Sequence, residues 1–322
     1  MIIISRQIEK EVYTGMRRTT HGQDRPPTRS PFTFARYSVP HEEHIERNED
    51  TLLVDQQRGL AAVFDGVGYG PGHIASQMAA RVIRRGWKRL LAKEQNTPAL
   101  LEISRAVDLQ AKLPHLLLEA HRQICTNGSR HIQIDDSLPE DKKRPETTAA
   151  LITLCKNSEQ DGYTMFYAHV GDSRIYLLPQ TRPLKRLTRD DGYFSLLLKR
   201  ELINEDDAYR IDQATSAEQL SAEEFDYFSK RNGITQALGD HSQPTVHIGS
   251  MPIAPGDRIL LCTDGIHDNL TDQEIQQILQ KGSRTRAARG LVQSAIDRSH
   301  QSDESIRAKA DDMSAIVITY NY

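Results

Sequence analysis

Two acid–glycine pairs indicate where this 322-residue chain could carry out chemistry. Asp65-Gly66 follows the apolar run Ala61–Phe64, and Asp264-Gly265 comes just after the apolar run Ile259–Cys262. Each run is typical of a buried strand, so each aspartate should lie at the mouth of a core. A carboxylate held there could bind a cation, and two such strand ends brought together would form a metal site.

Further acids occur in comparable positions. Glu49-Asp50 precedes a predicted strand, and Asp311 opens another. Oxygen ligands without nearby cysteine or histidine pairs favour a hard cation, Mg²⁺ or Mn²⁺, over zinc. The glycine after each acid would let a backbone carbonyl approach the ion. Two such ions close together would polarise a phosphoryl oxygen and make hydroxide from water near neutral pH, which is the arrangement for in-line hydrolysis.

Each acid also has a plainer interpretation. Asp-Gly is a common tight-turn dipeptide, and the chain contains two more copies, Asp161-Gly162 and Asp191-Gly192. Glu49-Asp50 alone would suit a solvated strand entry, and Asp311-Asp312 alone would suit a turn before an edge strand. The functional interpretation therefore depends on the order and spacing of the motifs along the whole chain.

The elements that must position these acids come as runs of strands and blocks of helices. Because strands and helices do not alternate regularly, the pattern favours an α+β fold with sheets covered by helices. The acidic stretch Leu187–Gly233 should contain a short helix near Leu196–Leu198. Strands are predicted at Phe32–Val39, Asn48–Asp55, Thr148–Cys155, Tyr163–Val170, Ile175–Leu178, Thr245–Met251, Arg258–Cys262 and Ser314–Tyr320, and helices at Ile74–Lys93, at Ala99–Ile124 with a break or kink near Pro114, from Asp272, and at Arg286–Ser299.

Composition limits the class of protein. Apolar residues make up 38% of the chain and charged residues 26%, as in a soluble globular protein. A net charge of −3 gives no basic field, so we expect neither nucleic acid nor a membrane as a partner. We expect a cytoplasmic protein, because the opening apolar run is too short for a signal peptide and no later run reaches the roughly 18 residues of a membrane span. We also expect a monomer. The cysteines should be reduced thiols: Cys125, Cys155 and Cys262.

Eight short motifs follow one another between about residues 32 and 320. They are Arg47-Asn48-Glu49-Asp50, Val63-Phe64-Asp65-Gly66-Val67-Gly68, Thr147-Thr148-Ala149, Val170-Gly171-Asp172-Ser173-Arg174, Leu187-Thr188-Arg189-Asp190, Thr235-Gln236-Ala237-Leu238-Gly239, Leu260-Leu261-Cys262-Thr263-Asp264-Gly265 and Asp311-Asp312-Met313-Ser314. In this order they resemble the successive motifs of the PP2C-type (PPM) metal-dependent serine/threonine phosphatases, especially the bacterial members.

The resemblance implies a four-layer α-β-β-α sandwich with metals in a cleft at one end. Asp65 and the carbonyl of Gly66 would bridge two Mn²⁺ or Mg²⁺ ions. Asp264 and Asp311 would complete the shell of one ion, and Glu49 that of the other. Asp50 would orient the attacking water, and Asp172 would help Asp264 to hold a third, weaker ion. The resemblance also implies a single domain at 32–322 with a flap insertion at about 193–231. Residues 1–31 mix charged residues with prolines, which predicts an N-terminal arm.

Several positions depart from the family pattern. Val67 replaces a histidine of animal members that has been proposed as a general acid. The family's phosphate-binding arginine usually lies four residues before the ligand glutamate, where this chain has Ile45. Arg47 or Arg36 could substitute, or the contact could be missing. Asp312 replaces a common asparagine and adds negative charge beside the site.

The favoured hypothesis is a protein phosphatase that hydrolyses phosphoserine and phosphothreonine by attack of metal-activated water. The alternative is a catalytically weak, regulatory member of the family that binds a phosphoprotein through the acidic insertion. A nucleotide-binding loop at Gly66–Gly72 is disfavoured, because that stretch has neither a Gly-Lys-Ser/Thr ending nor a G-x-G-x-x-G pattern.

Overall fold

The computed structural model describes residues 30–67, 72–92, 109–128, 144–157 and 162–321. Most of the predicted N-terminal arm, together with Gly68 and Asp161, lies outside these residues. The strands are β1 Phe32–Val39, β2 Thr51–Asp55, β3 Leu60–Phe64, β4 Gly66–Val67, β5 Glu146–Thr147, β6 Ala149–Lys156, β7 Tyr163–Val170, β8 Arg174–Leu178, β9 Lys185–Arg186, β10 His247–Ile253, β11 Arg258–Cys262 and β12 Met313–Tyr320.

The helices are α1 Gly72–Ala92, α2 Leu109–Asn127, α3 Tyr193–Lys199, α4 Glu205–Asp212, α5 Ala222–Ser229, α6 Asp264–His267, α7 Asp272–Lys281 and α8 Ala287–Ser299. Two antiparallel sheets have the orders β1-β12-β11-β8-β9 and β10-β7-β6-β3-β2, and β4 pairs with β5 beside them. No described helix is long and apolar enough to cross a membrane.

Alternating side chains explain how the sheets are layered. In β3, Ala61 and Val63 join the core between the two sheets, whereas Leu60, Ala62 and Phe64 pack with α1 and α2. In β11 the same alternation sends some apolar side chains to the inter-sheet core and others to α6, α7 and α8. Strands buried on both faces read as continuous apolar runs, so the predicted four-layer α-β-β-α sandwich is confirmed.

Two predictions about elements need correction. The second helix continues through Pro114 and ends at Asn127, so the predicted break is wrong for the part that the structure describes. The acidic stretch contains three helices instead of one. Asn204 accepts a hydrogen bond from the Asp207 N–H at the start of α4, and Ser221 forms a capping box with Glu224 at the start of α5. These caps stabilise short helices despite the charged sequence.

Candidate metal centre and active site

Asp65 lies directly after β3, at one end of the sandwich. Its backbone carbonyl accepts hydrogen bonds from the Thr148 N–H at 2.8 Å and from the Thr147 hydroxyl at 2.7 Å. Both threonines are buried beside β6, the strand that neighbours β3. The Thr147-Thr148 motif therefore fixes the backbone of the acid that sequence analysis predicts to be the bridging ligand.

The glycine after each acid is required by close backbone packing. A Cβ on Gly66 would lie 2.4 Å from the carbonyl carbon of Gly72, where α1 begins. A Cβ on Gly265 would lie 2.1 Å from the carbonyl oxygen of Asp312. These approaches join the end of β3 to α1 and the end of β11 to the start of β12. They bring the segments that carry the predicted ligands to one edge of the sandwich.

Asp50 is buried and is held by a residue from the other sheet's strand end. The Thr263 hydroxyl donates a hydrogen bond to Asp50 Oδ2 at 2.8 Å. The second carboxylate oxygen, Oδ1, is buried and has no hydrogen-bond partner among the residues that the structure describes. Burial raises the pKa of Asp50 well above its usual value, although hydrogen bonds with Ser314 and Thr263 oppose this shift.

Asp172 lies where the chain crosses from one sheet to the other. β7 and β8 belong to different sheets, and Gly171 between them has φ +90°. The Gly171 N–H donates to Asp191 Oδ2 at 2.9 Å, and the ring of His267 lies 3.1 Å from the carbonyl oxygen of Asp172. These contacts fix the crossing turn, and they show that the Asp191-Gly192 pair is more than a simple turn.

Lys309 joins two of the predicted ligands in one ion-pair cluster. Its Nζ contacts Asp264 Oδ2 and lies 2.9 Å from both Asp268 Oδ2 and Asp311 Oδ2. Burial acts to raise the pKa of Asp264, but Lys309, the hydrogen bond with Asp65 and the charge of His267 together lower it below its usual value. Burial and the Asp264 charge raise the pKa of Asp311 to about 7, even though Lys309 acts in the opposite direction.

Asp65 stands at the centre of the predicted acids. Burial raises its pKa well above the usual value, and further carboxylates raise it in the order Asp264, Asp50, Asp311 and Asp172. Such a group of buried carboxylates with an unpartnered oxygen fits divalent cations, since oxygen is the donor that Mg²⁺ and Mn²⁺ prefer. Within the described ranges, however, no three acidic, histidine or cysteine side chains already form a closed ligand group.

Glu49 is turned away from this cluster. Its backbone N–H donates to Asp312 Oδ2 at 2.7 Å, and Arg47 Nη2 lies 3.2 Å from its Oε1. Burial raises the pKa of Glu49 and Arg47 opposes it, but the carboxylates around Asp65 are not among the causes. Arg36 is exposed on β1, so of the two candidate arginines only Arg47 is seen to contact a predicted ligand.

Sequence analysis missed two charged residues at this edge. Lys309, two residues before Asp311, and Asp268, four residues after Asp264, complete the ion-pair cluster. The Asp268 carboxylate also lies 3.9 Å from Arg231 Nε. The spacing of Asp268 from Asp264 was a usable signal, because residues four apart share a helix face. The position of Lys309 could be found only from the fold.

Comparison with known proteins identifies the family to which the chain belongs. The profile described as Protein phosphatase 2C matches residues 40–298. The chain is similar to the serine/threonine phosphatase stp of Listeria monocytogenes, with 25% identity over 250 residues, which cover 77% of this chain and 82% of that protein.

The fold is similar to that of solved phosphatases. The Mycobacterium tuberculosis serine/threonine phosphatase PstP/Ppp matches with a TM-score of 0.64 and 22% identity, over 90% of this chain and 99% of that one. The catalytic domain of PstP in complex with two manganese ions matches with a TM-score of 0.59 and 22% identity, over 90% and 99% of the two chains. By its matched profile and the order of its motifs, the chain belongs to the protein phosphatase 2C family and is a protein serine/threonine phosphatase.

Proposed function

We propose that this phosphatase hydrolyses phosphoserine and phosphothreonine in proteins with two divalent cations held around Asp65. The observation that carries the proposal is that four other carboxylates lie close enough to Asp65 to raise its pKa. Asp65, the carbonyl of Gly66, Asp264 and Asp311 would hold the ions, and Glu49 would join them by turning from Arg47. The two manganese ions of the PstP catalytic domain support Mn²⁺ as the metal, with Mg²⁺ as a second candidate. When bound, such ions polarise a phosphoryl oxygen and lower the pKa of water.

Asp50 would position the attacking water. Its Oδ2 is occupied by the Thr263 hydroxyl, whereas Oδ1 has no partner in the described part of the chain. Oδ1 can therefore accept a hydrogen bond from the water and take its proton as the bond to phosphorus forms. The hydroxyl of Thr263 keeps the carboxylate from rotating, so the free oxygen keeps its direction.

Arg47 would bind the phosphate of the substrate. Its side chain is 43% exposed, and its guanidinium already lies beside Glu49, next to Asp50 in the chain. A guanidinium can donate two parallel hydrogen bonds to a phosphate, which fixes the phosphorus for attack. The position that holds arginine in related proteins is here Ile45, whose side chain is 64% exposed and cannot donate.

The segment 193–231 would act as the flap that shapes access of a phosphoprotein. Its helices enclose a small core of their own that includes Ile211 and Phe228. Arg307 joins this segment to the site, because its guanidinium donates to the carbonyls of Ala214 at 3.2 Å and of His267 at 2.7 Å. A phosphorylated protein is thus the proposed partner. We also propose a cytoplasmic monomer, and the net charge of −3 disfavours nucleic-acid and membrane partners.

Turnover of a phosphopeptide with added Mn²⁺ tests the proposal. Asp65→Asn and Asp264→Asn should each lower the rate of turnover by a factor of about 10² or more while the fold is retained, because each removes the charge of a metal ligand. Asp303→Asn, an exposed acid remote from these contacts, is the matched control. Unchanged turnover in Asp264→Asn would exclude this metal site. Absence of turnover in the parent protein would favour the regulatory alternative.

A further inference from the structure

The Lys309 ammonium lies within a cluster of three carboxylates, those of Asp264, Asp268 and Asp311. Two of its contacts measure 2.9 Å, and the third is the contact with Asp264 Oδ2. Its side chain is 23% exposed, and the Asp264, Asp268 and Asp311 side chains are 13%, 5% and 30% exposed. Among the residues that the structure describes, Lys309 is the cation that contacts the predicted ligands Asp264 and Asp311, whereas Arg47 contacts the predicted ligand Glu49.

The backbone of Lys309 is held by hydrogen bonds to Asn269, which follows α6. Its N–H donates to Asn269 Oδ1 at 3.0 Å, and its carbonyl accepts from Asn269 Nδ2 at 2.8 Å. Asn269 is fully buried, and its Nδ2 also donates to the carbonyl of Gly265 at 2.9 Å. One buried amide therefore ties Lys309 to the turn that follows Asp264. The position of the ammonium is set by the fold and not by a mobile surface side chain.

The carboxylate of Asp264 links the Lys309 ammonium to the predicted bridging ligand. Asp65 has no ion pair with Lys309, whereas the carboxylate of Asp264 contacts Lys309 through Oδ2 and also hydrogen-bonds with the side chain of Asp65. The charge of Lys309 is also felt by Asp172, where it partly offsets the effects of burial and neighbouring acids on the pKa. Lys309 thus neutralises the acids on the side where Asp172 and Asp264 were predicted to hold a third ion.

We propose that the Lys309 ammonium takes the place of the third ion, so that this phosphatase binds two divalent cations and supplies the remaining positive charge from its own chain. Lys309 is a positioning residue that acts through Asp264, Asp268 and Asp311. Without it, the three carboxylates would lose the one ammonium that they share, and within the described part of the chain Arg231 would remain beside Asp268 only. A further divalent ion would then be drawn to them, because attraction between charges at such distances is strong in a partly buried site. This inference rests on the two-ion centre proposed above.

Calorimetric titration with Mn²⁺, together with native mass spectrometry, counts the ions directly. The parent protein should bind two Mn²⁺ ions, as the PstP catalytic domain does. Lys309→Met should bind one more, with an affinity weaker by about tenfold or more than that of the first two because fewer carboxylates hold it. Lys309→Arg, which keeps the charge, should bind two. Lys281→Met, which removes an exposed lysine of α7, is the matched control.

Thermal unfolding with and without Mn²⁺ covers the case in which Lys309→Met is unstable without metal. The variant should gain more stability from Mn²⁺ than the parent protein, since the added ion restores the lost charge. Three ions in the parent protein, or two in both proteins, would overturn the inference while leaving the two-ion centre intact. Tighter binding of two ions without a third would overturn it as well. No binding by the parent protein would refute the two-ion centre and this inference together.

Discussion

The backbone N–H of Glu49 donates a hydrogen bond to Asp312 Oδ2 at 2.7 Å, across 263 residues of chain. The other oxygen of Asp312, Oδ1, accepts from the His41 N–H at 2.6 Å. The Asp312 side chain is buried, so both acceptors are shielded from water. The extra negative charge that sequence analysis noted beside the site is therefore used to hold the segment that carries Glu49 and Asp50.

Asp312→Asn should destabilise the protein even though asparagine is common at this position in the family. Each oxygen of Asp312 has an N–H donor, and an amide offers one oxygen only. One N–H would then face an NH₂ group, which costs about 1–3 kcal/mol in the free energy of unfolding. Urea unfolding in the presence of a chelator measures this loss, with Asp303→Asn as the control. Equal stability of Asp312→Asn and the parent protein would contradict the hydrogen-bond assignment.

Gly265→Ala should damage the site by separating two backbone segments. The new methyl group would lie 2.1 Å from the carbonyl oxygen of Asp312, which is too close for any Cβ, so the start of β12 must shift. We expect a loss of about 2 kcal/mol or more in unfolding free energy and a weaker affinity for Mn²⁺. The matched control is Gly290→Ala in α8, where the methyl group would lie 3.4 Å from Ile278 Cγ2.

The control should be neutral or slightly stabilising, because alanine has the higher helix propensity and the space is sufficient. Urea unfolding and Mn²⁺ titration compare the two variants. A Gly265→Ala protein that matches Gly290→Ala in both measurements would show that the close approach to Asp312 does not constrain the site.

Arg47→Met should impair substrate binding more than Arg36→Met. Arg47 lies beside Glu49, whereas Arg36 is exposed on β1. Loss of a charged hydrogen bond to phosphate should raise KM for a phosphopeptide by about tenfold, with a smaller effect on kcat. Steady-state kinetics at saturating Mn²⁺ measure both parameters. A larger effect in Arg36→Met would assign the phosphate contact to Arg36, and no effect in either variant would show that the contact is missing.

The layers of the fold could be predicted because they depend on local patterns. Apolar runs such as Leu60–Phe64 indicate strands buried on both faces, and the Thr271–Glu274 capping box does begin α7. The acids at strand ends could also be predicted, since each is marked by the glycine that follows it. The same method failed in the acidic stretch, where the capping box at Ser221 was a readable signal that its high charge obscured.

The parts of the site that could not be predicted depend on contacts between distant segments. Arg307 is fully buried, and it donates to backbone carbonyls near residues 214 and 267 that no periodic pattern connects. Nothing in the sequence distinguishes Lys309 from other charged loop residues, because its contacts with Asp264 and Asp268 form only in the folded chain. The direction of the Glu49 side chain likewise depends on Arg47 and Asp312, which sequence order alone does not place.

His169 should make the stability of the protein depend on pH below neutrality. Burial, together with the charge of His247, whose ring centroid is 4.8 Å away, lowers its pKa to about 4, although Asp191 opposes the shift. An unfolded histidine titrates at about 6.5. Between these values the unfolded chain binds a proton that the folded protein does not, so stability is complete above pH 6.5 and is lost as the pH falls toward 4. This loss in the free energy of unfolding amounts to about 3 kcal/mol.

His169→Phe, which keeps a ring against His247, should remove this part of the pH dependence, whereas His115→Phe on the exposed face of α2 should not. Urea unfolding in a chelator between pH 7 and 5 compares the slopes, and equal slopes for all three proteins would show that His169 is not the group responsible.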